Sequence, residues 1–275
     1  MPQPVLKRAA KIAYREAKPS RASGHLPVLC VHGWPQSSYM WRHLLSDLAA
    51  AGRRAVALDL AGFGDSPPDP PGTYERRVEA LERFRRELGL DRVVLAVHDT
   101  GGLIGLRWAC DHPDAVGGLV ITNTGFFPGH DWIEIAQTMR TPIQGEALVD
   151  SLSREAFATL LEEASDAFDE RALDEYWKAF STVGNRRAML ELYRSFDLDN
   201  ELQPYQGKLA ALEVPTLVLW GSQDEYIPLD FASRFAREIP GSRLVLLEGV
   251  RHFLFDDEPE RCADEVISFL RQTGN

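Results

Sequence analysis

Cysteine is scarce in this 275-residue chain, and the three present, Cys30, Cys110 and Cys262, are an odd set with no C-x-x-C spacing. All three fall in apolar segments, which excludes a disulfide framework and suits reduced thiols in a cytoplasmic protein. The seven histidines, His25, His32, His43, His98, His112, His130 and His252, are scattered. They form no His-x-x-x-His pair and no Cys/His cluster, so no metal centre is indicated. No apolar run approaches the length of a membrane span, and the charged first eleven residues lack the apolar core of a signal peptide. The chain therefore reads as cytoplasmic and unprocessed. Basic charge is in deficit, with 30 Lys and Arg against 41 Asp and Glu and a formal net charge of −11, which argues against nucleic-acid or anionic-membrane partners. The lone Gly62-Phe63-Gly64 has no third glycine at the required spacing and no Lys-Ser/Thr behind it, so no phosphate loop is read there. No cofactor is implied.

The chain does have apolar residues enough, 44% of the total, to bury one core with room for an inserted lobe. Buried-strand patterns at 12–16, 28–31, 55–58, 93–97, 119–122, 216–220 and 244–247 alternate with helical periodicity at 41–51, 76–88, 103–110, 230–239 and 260–270. That alternation predicts an α/β fold with a mostly parallel sheet. It breaks once: from 125 to 207 the pattern is helical only, with acid-rich amphipathic stretches at 154–167, 171–180 and 188–195. The expected organisation is an α/β core of residues 1–124 and 208–275 with a helical cap, 125–207, inserted after the sixth strand.

The chemistry centres on Asp99. The apolar run Val93-Val94-Leu95-Ala96-Val97, the turn His98-Asp99-Thr100 and the glycine-rich helix opening Gly101-Gly102-Leu103-Ile104-Gly105 read as a strand, turn and helix "nucleophile elbow" with a carboxylate at its tip. A carboxylate is a poor match for amide or ordinary ester hydrolysis. It can attack an sp3 carbon, displacing a halide or opening an epoxide. Asp224, just past the strand at 216–220, and His252, on the loop after the strand at 244–247, complete the chain order nucleophile, acid, base. His252 would serve as general base for water, with Asp224 holding its tautomer; Glu225 is the fallback acid. Backbone N–H groups of Trp34, in His32-Gly33-Trp34-Pro35, and of Thr100 are the expected oxyanion hole. His98 reads as buried support for the elbow.

These residues resemble the α/β-hydrolase superfamily, and within it the aspartate-nucleophile branch of haloalkane dehalogenases and epoxide hydrolases. The likeness spans 10–124 and 208–272 and is closest to haloalkane dehalogenases at Pro35-Gln36-Ser37-Ser38-Tyr39-Met40-Trp41-Arg42, Asp59-Leu60-Ala61-Gly62-Phe63-Gly64-Asp65-Ser66, His98-Asp99-Thr100-Gly101-Gly102 and His252-Phe253. It implies an eight-stranded α/β-hydrolase sheet and an alkyl-enzyme mechanism. Asp99 takes the alkyl group as an ester, and water activated by His252 then attacks the ester carbonyl. It implies a small apolar substrate, water, no cofactor, and a monomer or homodimer. Asn123 stands where another dehalogenase branch keeps its acid, which favours Asp224.

The chain departs from the family where the leaving group is held. Dehalogenases carry a Trp after the nucleophile, where this chain has Thr100, and many carry Asn where it has Trp34. A halide leaving in a dry cavity needs N–H donors, so the Trp34 indole is a candidate substitute. Epoxide hydrolases use two cap tyrosines. Tyr193 resembles the second and also the cap tyrosine of fluoroacetate dehalogenases, whereas residues 125–173 contain no Tyr to match the first. Fluoroacetate dehalogenases place Arg after the nucleophile, and Thr100 speaks against that acid substrate. His130 and Trp132 come too soon after the sixth strand to be matched with that family's cap His and Trp. The leading expectation is hydrolytic dehalogenation of a small haloalkane, with epoxide hydrolysis second and a non-catalytic ligand-binding protein third.

Overall fold

A computed structural model describes residues 2–21, 24–129 and 131–274. Its eight strands are β1 (Val5–Ala9), β2 (Ile12–Ala17), β3 (Val28–Val31), β4 (Ala55–Leu58), β5 (Val93–His98), β6 (Val116–Thr122), β7 (Thr216–Gly221) and β8 (Arg243–Leu247). They form one sheet in the order β1-β2-β4-β3-β5-β6-β7-β8. The two pairings that involve β2 are antiparallel, and all others are parallel. Strands β3 to β7 are buried along their whole length, because helices cover both faces of a parallel sheet. That is why they show as unbroken apolar runs. The edge strand β1 was not among the patterns expected above: its residues Val-Leu-Lys-Arg-Ala are mostly exposed, and an edge strand of mixed polarity carries little periodic signal.

Helices α1 (Arg42–Ala50), α2 (Tyr74–Glu87) and α3 (Thr100–Asp111) follow β3, β4 and β5. Between β6 and β7 the described residues contain no strand, only helices: α4 (Glu134–Arg140), α5 (Gln144–Ser151), α6 (Arg154–Ala164), α7 (Glu170–Trp177), α8 (Val183–Ser195) and α9 (Leu198–Leu202). Helix α10 (Leu229–Glu238) connects β7 to β8, and α11 (Leu254–Asp257) and α12 (Pro259–Gln272) end the chain. No helix is long and apolar enough to cross a membrane among the described residues.

The helices between β6 and β7 are tied to the core by polar contacts at several points. Arg77 on α2 donates to the Ala188 carbonyl at 3.0 Å, the Tyr74 N–H donates to Ser195 Oγ at 2.7 Å, and Lys178 pairs with Asp65 at 2.9 Å. Tyr176 on α7 donates to Asp256 at 2.8 Å. Together these hold the overlying helices across the carboxyl ends of the parallel strands, where open α/β sheets place ligands.

Candidate active site

Asp99 follows the last residue of β5 and directly precedes α3, with φ 48° and ψ −130°. A non-glycine residue at positive φ costs about 1 to 3 kcal/mol and persists where surrounding structure holds it. Here the Asp99 N–H donates to the Asn123 carbonyl at 3.1 Å, and its own carbonyl accepts from Thr124 Oγ1 at 2.6 Å and from the Gly102 N–H at 2.8 Å. Strand and helix can meet this closely only because Gly101 lacks a Cβ, which would lie 2.3 Å from the His32 carbonyl oxygen. The elbow expected from the sequence is thus present in its backbone.

The Asp99 carboxylate enters the structure already solvated by peptide dipoles. Its Oδ1 accepts from the Trp34 N–H at 2.7 Å, and the Thr100 N–H turns to the same carboxylate. Burial pushes the Asp99 carboxyl above its ordinary range, while the facing His252 and these two N–H groups work to lower it. The Thr100 hydroxyl lies against the carboxylate too.

His32 explains why Trp34 points its N–H at Asp99. His32 Nε2 sits 3.0 Å from the Leu60 N–H and so must accept, which puts the ring proton on Nδ1, 2.9 Å from the Gly33 carbonyl. Burial holds its pKa down at about 4, so the ring stays neutral. Gly33 C=O and Trp34 N–H belong to one peptide unit and point in opposite directions across it. By holding the carbonyl, His32 aims the N–H. The Gly33 position has no room for a side chain, since a Cβ would lie 2.3 Å from Asp99 Oδ1.

Asp224 and His252 come together from the loops after β7 and β8. His252 Nδ1 is 2.8 Å from Asp224 Oδ2, and His252 Nε2 faces Asp99 Oδ2 at 3.8 Å. The Asp224 carboxylate also accepts from Asn123 Nδ2 at 2.6 Å and from the Tyr226 and Ile227 N–H groups at 2.7 and 3.0 Å. Burial works to raise Asp224, but its interaction with His252 and these donors outweigh it and hold the carboxyl below its ordinary range. For His252 burial works downward, and the Asp224 carboxylate, with Asp99 behind it, overcomes this and raises the imidazole above its ordinary value. Glu225 is exposed at the rim and makes no bond to His252. His98 is fully buried, with its ring centroid 4.7 Å from that of His252. Because the Thr122 hydroxyl spends its proton on the Val97 carbonyl, His98 Nδ1 donates to it at 3.2 Å, and burial keeps this ring neutral.

A cavity of about 470 Å³ opens above these groups. Asp99, Thr100, His252, Trp34 and Tyr193 line it, as do aliphatic side chains of α4, α5, α6 and α9. The Trp34 indole N–H is 3.2 Å from Met189 Sδ, a weak acceptor that a better one can replace. Tyr193 is buried beside Asp99, and burial together with that carboxylate's charge pushes its phenol well above the ordinary value, so it keeps its proton. Tyr176, on α7, is turned to Asp256 and does not line the cavity. Trp132 lines the cavity and meets the Tyr193 ring edge-on at 5.7 Å, while His130 lies outside the described residues.

One group that the sequence reading missed is Asp256, four residues after His252. Its fully buried carboxylate accepts from Arg42 at 2.6 Å, from Gln36 Nε2 at 2.8 Å and from Tyr176 Oη at 2.8 Å. Burial raises Asp256, but a guanidinium at 2.6 Å and two further donors stabilise the ion, and Arg42 is in turn driven above its ordinary value by the carboxylate against its own burial. One carboxylate on α11 therefore joins α1 through Arg42, the segment beside Trp34 through Gln36 and helix α7 through Tyr176. No group of His, Cys, Asp and Glu suited to a metal ion occurs among the described residues.

The chain matches a family model described as alpha/beta hydrolase fold over residues 27–259. It is 30% identical to a haloalkane dehalogenase of Sphingobium indicum, over 90% of this chain and 88% of the relative. It is 27% identical to a cis-3-alkyl-4-alkyloxetan-2-one decarboxylase of Xanthomonas campestris, over 89% of this chain and 88% of the relative. Among solved structures, haloalkane dehalogenase DbeA from Bradyrhizobium elkani superposes with a TM-score of 0.85 at 25% identity, covering 98% of both chains.

Proposed function

The chain belongs to the alpha/beta hydrolase fold family, and from that premise we propose that it hydrolyses a haloalkane through a covalent ester on Asp99. Residues 125–207 would act as a cap over a core of 1–124 and 208–275, closing the cavity against bulk water. An Asp99 oxygen attacks the carbon that carries the halogen, the C–O bond forms as the C–X bond breaks, and the halide leaves with the electron pair. Water then attacks the Asp99 ester carbonyl while His252 Nε2 takes its proton. Asp224 stabilises the imidazolium, and the Trp34 and Thr100 N–H groups hold the oxyanion. Collapse releases the alcohol and restores the carboxylate, so that one alkyl halide and one water give one alcohol, one halide and one proton.

The observation that carries this reading is the set Asp99, His252 and Asp224, with Nε2 facing the nucleophile at 3.8 Å and Nδ1 bonded to the acid at 2.8 Å. The haloalkane is favoured over other alkyl electrophiles by the dehalogenase relative and by the likeness in fold to DbeA. For the departing halide, the candidate donor is the Trp34 indole, now resting on Met189 Sδ. A second reading, epoxide opening to a diol, is favoured by Tyr193, a protonated phenol beside Asp99 suited to giving a proton to a leaving oxygen.

Intact-mass analysis of His252→Phe after incubation with a bromoalkane or, separately, a terminal epoxide tests both. Without its base the ester is trapped. Addition of an alkyl group without its halogen supports dehalogenation, and addition of the whole epoxide supports ring opening. No adduct from either refutes the covalent mechanism.

A further inference from the structure

We propose that His98 is a positioning residue for the base: with its only proton turned to Thr122, it lays an electron-rich ring against His252 and favours the imidazolium that forms there during hydrolysis. The hydrolytic step belongs to the ester mechanism above, on which this part of the inference rests, whereas the effect on His252 exists without any substrate. The sheet places the ring. His98 is the last residue of β5 and pairs across the sheet with Thr122, the last residue of β6. Among the described residues three rings touch His252. Tyr226 and Phe253 stand edge-on to it with centroids at 5.1 and 5.0 Å, and His98 lies closest, at 4.7 Å and tilted by 45°.

The hydrogen bonds of Thr122 decide where the His98 proton is. Its hydroxyl donates to the Val97 carbonyl at 2.8 Å and accepts from His98 Nδ1 at 3.2 Å, so a neutral ring carries no proton on Nε2. That nitrogen is buried and has no hydrogen-bond partner among the described residues. A buried acceptor left unpaired is costly, and such exceptions call for a role. The role here is electrostatic. Burial first, and then the facing His252, keep His98 from taking a second proton; they outweigh Asp224 and the Thr122 backbone, which favour one, and His32 adds to the opposition. Two rings in contact do not both carry positive charge in a buried place, so a ring held neutral leaves the charge to its neighbour. Its bare nitrogen and ring electrons are already in place when His252 takes the proton from water, which is preorganised stabilisation of a charge that develops in the reaction. The other groups facing His252 are Asp224 at Nδ1, Asp99 across from Nε2, Asp257 on α11 and the Tyr226 phenol. All of them are retained when only His98 is changed.

Nitrogen-15 NMR of the whole protein labelled at histidine tests this without substrate, with His252 assigned by the signal lost in His252→Phe. His98 is expected to hold one proton, on Nδ1, from about pH 5 to pH 9. A His98 that titrates in that range, or bears its proton on Nε2, overturns the inference even if no variant folds. His98→Phe keeps a buried ring and removes both nitrogens. Losing a neighbour that stabilises the charged form lowers the His252 midpoint, by about one pH unit or a tenfold change in proton affinity. His98→Gln offers Thr122 a donor and retains an acceptor, and should restore most of the shift. A midpoint that moves by less than about 0.3 pH unit in folded His98→Phe also overturns the inference. Bromide release from 1-bromohexane then separates the steps. In His98→Phe the first bromide per site should appear within about twofold of the native rate, while steady turnover at high pH falls about tenfold. Equal loss in both steps with the His252 midpoint in place marks a merely structural role and overturns the assignment. Absence of bromide release from the native protein counts against dehalogenation alone, because the NMR midpoints judge His98 independently.

Discussion

Under the proposed ester mechanism, replacing Asp224 by Asn separates the two chemical steps, because it keeps the side chain's size and removes one acceptor. The carboxylate takes four donors: His252 Nδ1, Asn123 Nδ2, and the N–H groups of Tyr226 and Ile227, all within 2.6 to 3.0 Å. An amide has a single oxygen, and the two backbone donors fixed in the turn occupy it. Its NH2 then faces His252 and Asn123, both of which also present N–H groups. The conflict is relieved if His252 moves its proton to Nε2 and accepts at Nδ1. An Nε2 that already carries a proton takes none from water. Ester hydrolysis should therefore fall about a thousand- to ten-thousandfold, or about 4 to 5.5 kcal/mol of barrier. Ester formation needs no base and should fall far less. With 1-bromohexane, Asp224→Asn is expected to release one bromide per site in a burst and then nearly stop, with one hexyl group retained on the Asp99 peptide by mass spectrometry. Sustained turnover within tenfold of the native enzyme, with no accumulated ester, would refute the tautomer argument.

Acidity should act on the two steps differently. In the proposed mechanism hydrolysis needs neutral His252, which the Asp224 carboxylate pushes up against burial, so steady turnover should climb with pH as the imidazole loses its proton; trapping on His252→Phe lacks that limb. Gly33→Ala places a methyl where Asp99 Oδ1 now lies, and displacing the oxyanion loop by about 1 Å should cost about a hundredfold in turnover, measured alongside circular dichroism to show that the fold survives. Asp256→Asn leaves Arg42 largely buried without its counter-ion, at a cost of about 3 kcal/mol, and should lower the melting temperature by about 6 to 12 °C. Tyr176→Phe removes one bond to a charge, about 1.5 kcal/mol, and should lower it about half as far; equal melting of the native and both variant proteins contradicts the buried ion pair.

Where the sequence spoke clearly, burial was the reason. The strand at 93–97 stands out because both faces of β5 are covered, and the elbow behind it stands out because glycine is needed where the helix opening meets the His32 carbonyl. Asp224 and His252 were legible from their places after strand ends. Other features depend on contacts distant in sequence and carry no local signal. Asp256 sits in the run Asp256-Asp257-Glu258, which reads as a solvated acidic face, yet its carboxylate is buried by Arg42 and Tyr176, 214 and 80 positions away. The direction of the Trp34 indole depends on Met189 in the same way. For His32, the motif marks the loop, but only the Leu60 contact reveals which ring nitrogen bears the proton.

The shared acceptor at Asp256 bears on how such proteins recombine. A helical segment carried between two strands looks like a unit that ancestry, or an engineer, could exchange whole to change what the enzyme accepts. Here Tyr176 in that segment uses the same carboxylate as Gln36 beside Trp34, and the carboxylate itself sits on α11, directly after the loop of His252. A transplanted segment with no hydroxyl at that point would arrive with the right walls and still loosen both loops beneath it. Inherited or designed swaps should therefore succeed where positions 36, 176 and 256 travel as one set, which makes the helical segment and the loops beneath it a single heritable trait.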